Sequence, residues 1–321
     1  ATLAGLALDR GGNVWVTGFT ESSDFPGLNG VANIDFALEL NAGATAVQQI
    51  LPLLPKTLSQ PPAFDSDGNL LLLGAAGNLL RINTAAPYAN PAVFAVANSA
   101  VPVALGNVGI QGNLMTLYGT GLGPSTPVVA APDATGAWPT EIGGFSVQFS
   151  GQGKVVSAPL LFASADQINF EVPAGGLSTV VVVTPSGKLP AMTMNAAASL
   201  GVFGVLNADG SINSAFHPAQ RSSIVSLYLT GLSLSSYGAR DGVVSLSANP
   251  AFTNVVEVFW SQGGASLPVF YAGTAPGEID GLNQINVQLP GSPNPVLTVE
   301  VPASAYTFFH GTSNTFTVYT Q

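Results

Sequence analysis

The chain has 321 residues, of which only 7% are charged, with seven Lys and Arg against 17 Asp and Glu and a net charge of −10. So few cations exclude a nucleic-acid binder, which needs a basic footprint to release counterions, and they disfavour docking on an anionic membrane surface. The absence of cysteine excludes disulfide staples, thiolate metal sites and Cys nucleophiles.

The apolar fraction is an ordinary 47%, so the missing charge is replaced by Ser, Thr, Asn, Gln and Gly, and the composition is that of a folded chain. The start, Ala1–Gly5, has no basic region and no initiator Met, and the chain reads as a mature or excised piece. No apolar run is long enough to span a bilayer. Gly and Pro, 37 and 24 of them, punctuate short runs rich in Val, Ile, Thr, Phe and Tyr. That pattern predicts many short strands and an all-β protein.

The first predicted elements are a repeated hairpin. Leu8–Gly18 aligns with Phe64–Gly74: each is a strand end, an Asp-x-x-Gly-Asn turn and a second strand closing on Gly. Asp and Asn bond their own turn, and Gly supplies positive φ. Phe36–Asn41 matches Leu79–Asn83 as a further strand, and Ala44–Leu54 is the best helical candidate in the chain. Pro87–Pro91 separates this unit from the remainder of the chain.

The remainder holds a larger repeat. Leu114–Gly123 aligns with Ile224–Ser233, Pro159–Ala163 with Pro268–Ala272, and Gln167–Pro173 with Gln284–Pro290, in the same order. The second copy carries eight extra residues, within Gly273–Leu282. Further predicted strands are Phe145–Phe149, Val180–Val183, Val255–Trp260, Val296–Val299 and Thr315–Tyr319. Each copy spans about a hundred residues, the size of one sandwich, and the second join lies near Ser199–Phe203. The expected organisation is a propeller-like β-hairpin unit over 1–88 and two tandem immunoglobulin-like β-sandwiches over 89–200 and 201–321.

The stretch Asp9–Pro26, with Asn13-Val14-Trp15-Val16-Thr17-Gly18 and Ser23-Asp24-Phe25-Pro26, resembles the bacterial SBBP β-propeller repeat, and Ile34–Asn41 fits its next strand. Asp65–Asn83 is a degenerate second copy. From about residue 90 onward the chain is similar to the uncharacterised C-terminal domain of many secreted acidobacterial proteins, the Solibacter-type family. The match is carried by Tyr118–Pro124, Trp138–Thr140, Gln167–Pro173, Asn207–Asn213 and Asp280–Asn286. Ser233-Leu234 departs from it, where that family prefers Gly-Pro. The resemblance implies an IPT/TIG-like immunoglobulin fold and an extracellular or cell-surface home, with no activity attached.

Candidate chemistry is sparse. The two histidines, His217 and His310, stand near no nucleophile elbow, so no Ser–His–Asp triad is expected. Gly119–Gly123 has the glycines of a phosphate loop without its Lys-Ser/Thr end, and reads as a strand entering a turn. Asp65, Asp67 and Asn69 mimic the first ligands of a Ca²⁺ loop, as Asn207–Asn213 with Asp209 does more loosely. Neither has the closing Glu, and the hairpin-turn reading is preferred. Gln167 with Asn169, and Gln284 with Asn286, are expected to satisfy backbone groups in structural turns. Trp15, Trp138 and Trp260 read as core or interface anchors.

The expected function is therefore a non-catalytic extracellular structural subunit whose partners are other copies of itself. It would associate through strand edges or the termini Ala1–Leu8 and Asn314–Gln321, because about two blades leave open sheet edges. A monomeric adhesin for surface glycans is the alternative, and the tail of a secreted propeller enzyme a third. No cofactor is assigned.

Overall fold

The computed structural model describes residues 1–22, 24–25, 32, 34–53, 58, 60–73, 79–84, 91–104, 110–194, 200–232, 241–301 and 311–321. Among them every regular element is a β-strand, as the punctuation by Gly and Pro requires.

In the N-terminal unit, β1 (Thr2–Leu8), β2 (Val14–Thr20), β3 (Ile34–Leu40) and β4 (Val47–Leu53) form an antiparallel meander in that order. β5 (Ala63–Phe64), β6 (Leu70–Leu73) and β7 (Leu79–Ile82) form a second sheet. The sheets pack face to face through Trp15, Ala37, Leu51 and Leu53 on one side and Leu70, Leu72 and Ile82 on the other. The two repeated turns close alike: the amide of Asp9 donates to the carbonyl of Asn13 at 3.0 Å and that of Asp65 to Asn69 at 3.0 Å. Gly12 and Gly68 take the positive φ, 79° and 84°, that a side chain resists.

The expected helix at Ala44–Leu54 is not formed. Residues 44–53 make a turn and then β4, paired along β3, and Leu54 lies outside the described residues. A lone eleven-residue helix is marginal in water, whereas pairing satisfies a whole row of backbone groups that β3 would otherwise leave open.

The next eleven strands are β8 (Ala92–Asn98), β9 (Val101–Ala104), β10 (Leu114–Thr120), β11 (Val128–Val129), β12 (Ser146–Gly151), β13 (Lys154–Ser157), β14 (Leu160–Ser164), β15 (Gln167–Glu171), β16 (Thr179–Thr184), β17 (Gly187–Lys188) and β18 (Met192–Thr193). They build one sheet in the order β11-β14-β15-β10-β8-β9 and a second, β13-β12-β16-β17, with β18 also on β16. Met115, Leu117, Ile168 and Phe170 of the first meet Val147, Phe149, Val180 and Val182 of the second in one core.

The last nine strands are β19 (Gly201–Leu206), β20 (Ile224–Thr230), β21 (Glu257–Trp260), β22 (Ala265–Leu267), β23 (Val269–Thr274), β24 (Asn283–Gln288), β25 (Val296–Val301), β26 (Gly311–Thr312) and β27 (Phe316–Thr317). Their sheets, β19-β20-β24-β23 and β22-β21-β25-β26 with β27 also on β25, repeat the orders β8-β10-β15-β14 and β13-β12-β16. The sequence repeat is thus a structural one, with Leu227, Leu229, Ile285 and Val287 facing Val258, Leu297 and Val299 in the second core.

The end of the chain is tied into this second sandwich. Val318 is fully buried, and Thr320 forms a parallel bridge with Ala219. The amide of Ala219 donates to Tyr319, that of Gln321 to Ala219, and that of Tyr319 to the Asn213 side chain. Of the two termini expected as strand donors, Asn314–Gln321 is therefore spent within its own fold.

Candidate interaction surface

The sequence of β1, Thr-Leu-Ala-Gly-Leu-Ala-Leu, carries no charge. A regular strand alternates its side chains, which would put Leu3 opposite Leu6 and Leu8. A bulge between Leu3 and Gly5 changes that: Leu3 pairs with Gly18, Leu6 with Val16 and Leu8 with Val14. Cross-strand partners share a face, so all three leucines lie on one side of the sheet, beside Val14, Val16, Leu38, Leu40 and Val47. They are 67%, 65% and 62% exposed, and Val47 is 53% exposed. Among the described residues the covered part of this face is its far end, where Phe25 stacks on Phe36 and Ile34 and Ile50 pack on Ala95, Ala97 and Tyr118 of the first sandwich.

β1 is also an edge strand, paired to β2 alone among the described strands. Native edges are usually blunted by charge, Pro or a bulge, and within β1 the bulge is the device present. On the opposite face of the sheet Gly5 lets Pro61 approach so closely that a Cβ would stand 2.6 Å from its Cα. β5–β7 presents a second apolar surface on its outer side, where Leu71 and Leu73 are half-buried and Leu79 is 65% exposed. Arg81 shares that side, with its guanidinium bonded to Asp65 Oδ2 at 2.6 Å and Asp67 Oδ2 at 2.8 Å.

Those ion pairs answer what Asp65, Asp67 and Asn69 do. Asp65 Oδ1 accepts from the amides of Asp67 and Asn69, and Oδ2 from the Asn69 side chain and Arg81. Desolvation of this carboxylate is more than offset by those bonds, led by Asn69, which hold it well below the usual carboxylate range. Its oxygens are committed to closing the turn and neutralising Arg81. No group of three metal-ligating side chains occurs among the described residues. In Asn207–Asn213 the Asp209 carboxylate caps Ser211, again a turn contact.

The remaining sequence candidates also take structural places. His217 is exposed in the Ser214–His217 turn, and His310 lies outside the described residues. Gly119 and Gly123 press on backbone, where a Cβ would stand 2.0 Å from the Ala92 carbonyl oxygen and 2.4 Å from that of Ser164; they serve strand packing. Trp15 is fully buried, while Trp138 and Trp260 are half-buried.

The paired amides differ from expectation. They sit in strands, not turns, and bond each other: Gln167 Nε2 donates to Asn169 Oδ1 at 2.7 Å and Gln284 Nε2 to Asn286 Oδ1 at 2.8 Å. Thr116 and Ser226 complete the same ladder in the two copies. Side-chain bonds along one strand and across to its neighbour outcompete the backbone here, because the ladder already holds the backbone groups.

Two features of the joint between the sandwiches were not legible in the sequence. One is a cleft of about 600 Å³ whose lining includes Leu161, Phe170, Phe203, Leu206, Ile212 and Tyr228. Its wall mixes these apolar and aromatic side chains with the polar Ser99, Asn169 and Glu278. The other is Glu171, 1% exposed at the end of β15, which accepts the Gly242 amide at 3.2 Å. Burial, then the neighbouring charges of Asp241 and Asp280, push its carboxyl well above the ordinary value. Asp241 is itself held by the Ala174 amide at 2.6 Å and by Gln111 at 3.2 Å. The signal that could have drawn attention to Glu171 is the repeat, which has neutral Gln288 at the matching place.

No protein-family model matches the chain, and no curated protein matches its sequence.

Proposed function

We propose that the chain is a non-catalytic, extracellular structural subunit that associates with copies of itself through the surface of its N-terminal β-sheet. The observation that carries this reading is the aliphatic face of β1 and β2, where Leu3, Leu6 and Leu8 are each about two-thirds exposed beside an open strand edge. Contiguous exposed apolar surface of this kind marks an interaction site or an aggregation hazard. The strand that carries this face has no charged residue, so β1 puts no like charges against another copy at the contact, although each chain carries a net charge of −10. The extracellular setting rests on the motif resemblance read from Asp9–Pro26 and Gln167–Pro173 alone.

The test is sedimentation over a wide concentration range, with negative-stain imaging of the associated material. The chain should pass from monomer to larger regular species as concentration rises. A Leu6→Asp/Leu8→Asp variant should require at least about a hundredfold more protein to associate, since each buried Leu contributes about 1.5–3 kcal/mol. A chain that stays monomeric throughout, or a variant that associates as readily as the parent, overturns the reading.

A further inference from the structure

The N-terminal unit holds a template for the interface it lacks. Its two sheets are repeats, related residue by residue through identical turns. Leu8 corresponds to Phe64, Val14 to Leu70, Val16 to Leu72 and Leu40 to Ile82; on the other face Trp15 corresponds to Leu71, Thr17 to Leu73, Ala37 to Leu79 and Glu39 to Arg81. Within one chain the Leu70–Leu72–Ile82 face of the second sheet is buried against the Trp15–Ala37 face of the first. Phe64 meets Trp15 edge-on, with ring centroids 6.1 Å apart.

Each sheet then has one face left over. The first leaves open the face that its repeat buries, now carried by Leu6, Leu8, Val14, Val16 and Leu40. The second presents the counterpart of the Trp15 face, where Leu71 and Leu73 are half-buried and Leu79 is 65% exposed. We propose that these two faces bind each other between copies, so that the Leu8 face of one chain receives the Leu71 face of the next by the same sheet-on-sheet step that joins β1–β4 to β5–β7. This rests on the self-association reading and names its surface.

A second copy is the occupant the observations favour. The complementary face is present on the same molecule, and its repeat, the Trp15 face of the first sheet, is already seen docked on the second sheet. The contact would extend an existing apolar interface, since Ile34 and Ile50 of the same face already pack on the first sandwich. Arg81, the charged side chain that the pairing register puts on the donor face among the described residues, arrives already paired to Asp65 and Asp67, so its guanidinium is not buried without a partner. The step joins two different faces, which makes it head-to-tail: it yields a ring if the rotation closes and an open fibre if it does not.

The absence of native cysteine makes the contact directly measurable. Repeating the Phe64–Trp15 contact places position 8 of one copy beside position 71 of the next. Leu8→Cys and Leu71→Cys proteins, each checked for native circular dichroism, are mixed at associating concentration and treated with a short bis-maleimide. The expected result is a covalent dimer in the mixture and little in either variant alone, with a ladder of multimers from the Leu8→Cys/Leu71→Cys double variant. Leu6→Cys with Leu79→Cys, both at sites 65% exposed, repeats the experiment with minimal disturbance of packing. A dimer formed by Leu8→Cys alone indicates a two-fold, face-to-face contact and overturns the proposal. Concentration-dependent sedimentation without the mixed cross-link overturns this interface while self-association stands; absence of any association overturns both.

Discussion

Trp15→Ala should destabilise the N-terminal unit by about 3–5 kcal/mol, the usual loss for a large aromatic removed from a packed core. Trp15 is fully buried, stands edge-on to Phe64 and is the largest side chain in the core that joins β1–β4 to β5–β7. Such a loss is most of the stability that a unit of under a hundred residues commonly has. Hydrogen exchange should show β2 and β6 losing protection together while Leu117 and Leu227, central to the two sandwich cores, keep theirs. The remaining tryptophans, Trp138 and Trp260, lie in the sandwiches, so their fluorescence reports those units separately. A cost below about 1 kcal/mol, or simultaneous loss of protection in all three units, would show that Trp15 does not hold the two sheets together.

The second large effect concerns pH. Glu171 is raised well above its ordinary 4.5 by burial, then by the charges of Asp241 and Asp280. The folded chain therefore keeps a proton that the unfolded chain has released, and stability must fall as the pH rises. The contribution of the neutral carboxyl is fully present below 4.5 and is lost as the pH climbs through the folded value. Glu171→Gln places at this site the residue the other repeat has as Gln288. It keeps an acceptor for the Gly242 amide and cannot ionise. Denaturation midpoints of the parent minus those of the variant, measured from pH 4 to pH 9, should decline through that window. Glu171→Ala should cost about 1–3 kcal/mol even at pH 4, because a buried amide loses its acceptor. A difference that does not change with pH would remove Glu171 from the account.

The sequence carried more of the fold than of the surface that matters. The hairpins at Asp9–Asn13 and Asp65–Asn69 were legible because their hydrogen bonds run between residues four apart. The duplicated sandwich was legible because matching strands keep matching alternation, and Leu117, Ile168, Leu227 and Ile285 all fall inside. Ala44–Leu54 misled because its apolar spacing fits a helix, while the open edge of β3 decided the outcome. The leucine face of β1 was hidden by its bulge: strict alternation splits Leu3 from Leu6 and Leu8, and the register shift reunites them. Glu171 was invisible for a different reason. The groups that surround it arrive from the other sandwich, with its hydrogen-bond donor Gly242 71 positions away, and no local pattern announces such a meeting.

The clamp on the last residues has a mechanical consequence. Thr320 runs parallel to Ala219, and the Asn294 side chain bonds the Thr320 amide at 2.9 Å while the Asn294 amide bonds its hydroxyl at 2.9 Å. A pull on Gln321 along that strand would load these bonds side by side and at right angles to their length, so that they must fail together. An antiparallel hairpin pulled at its open end gives way one bond at a time. The segment Tyr319–Gln321 is thus expected to resist a pull along its length by shear of several bonds at once and not by peeling.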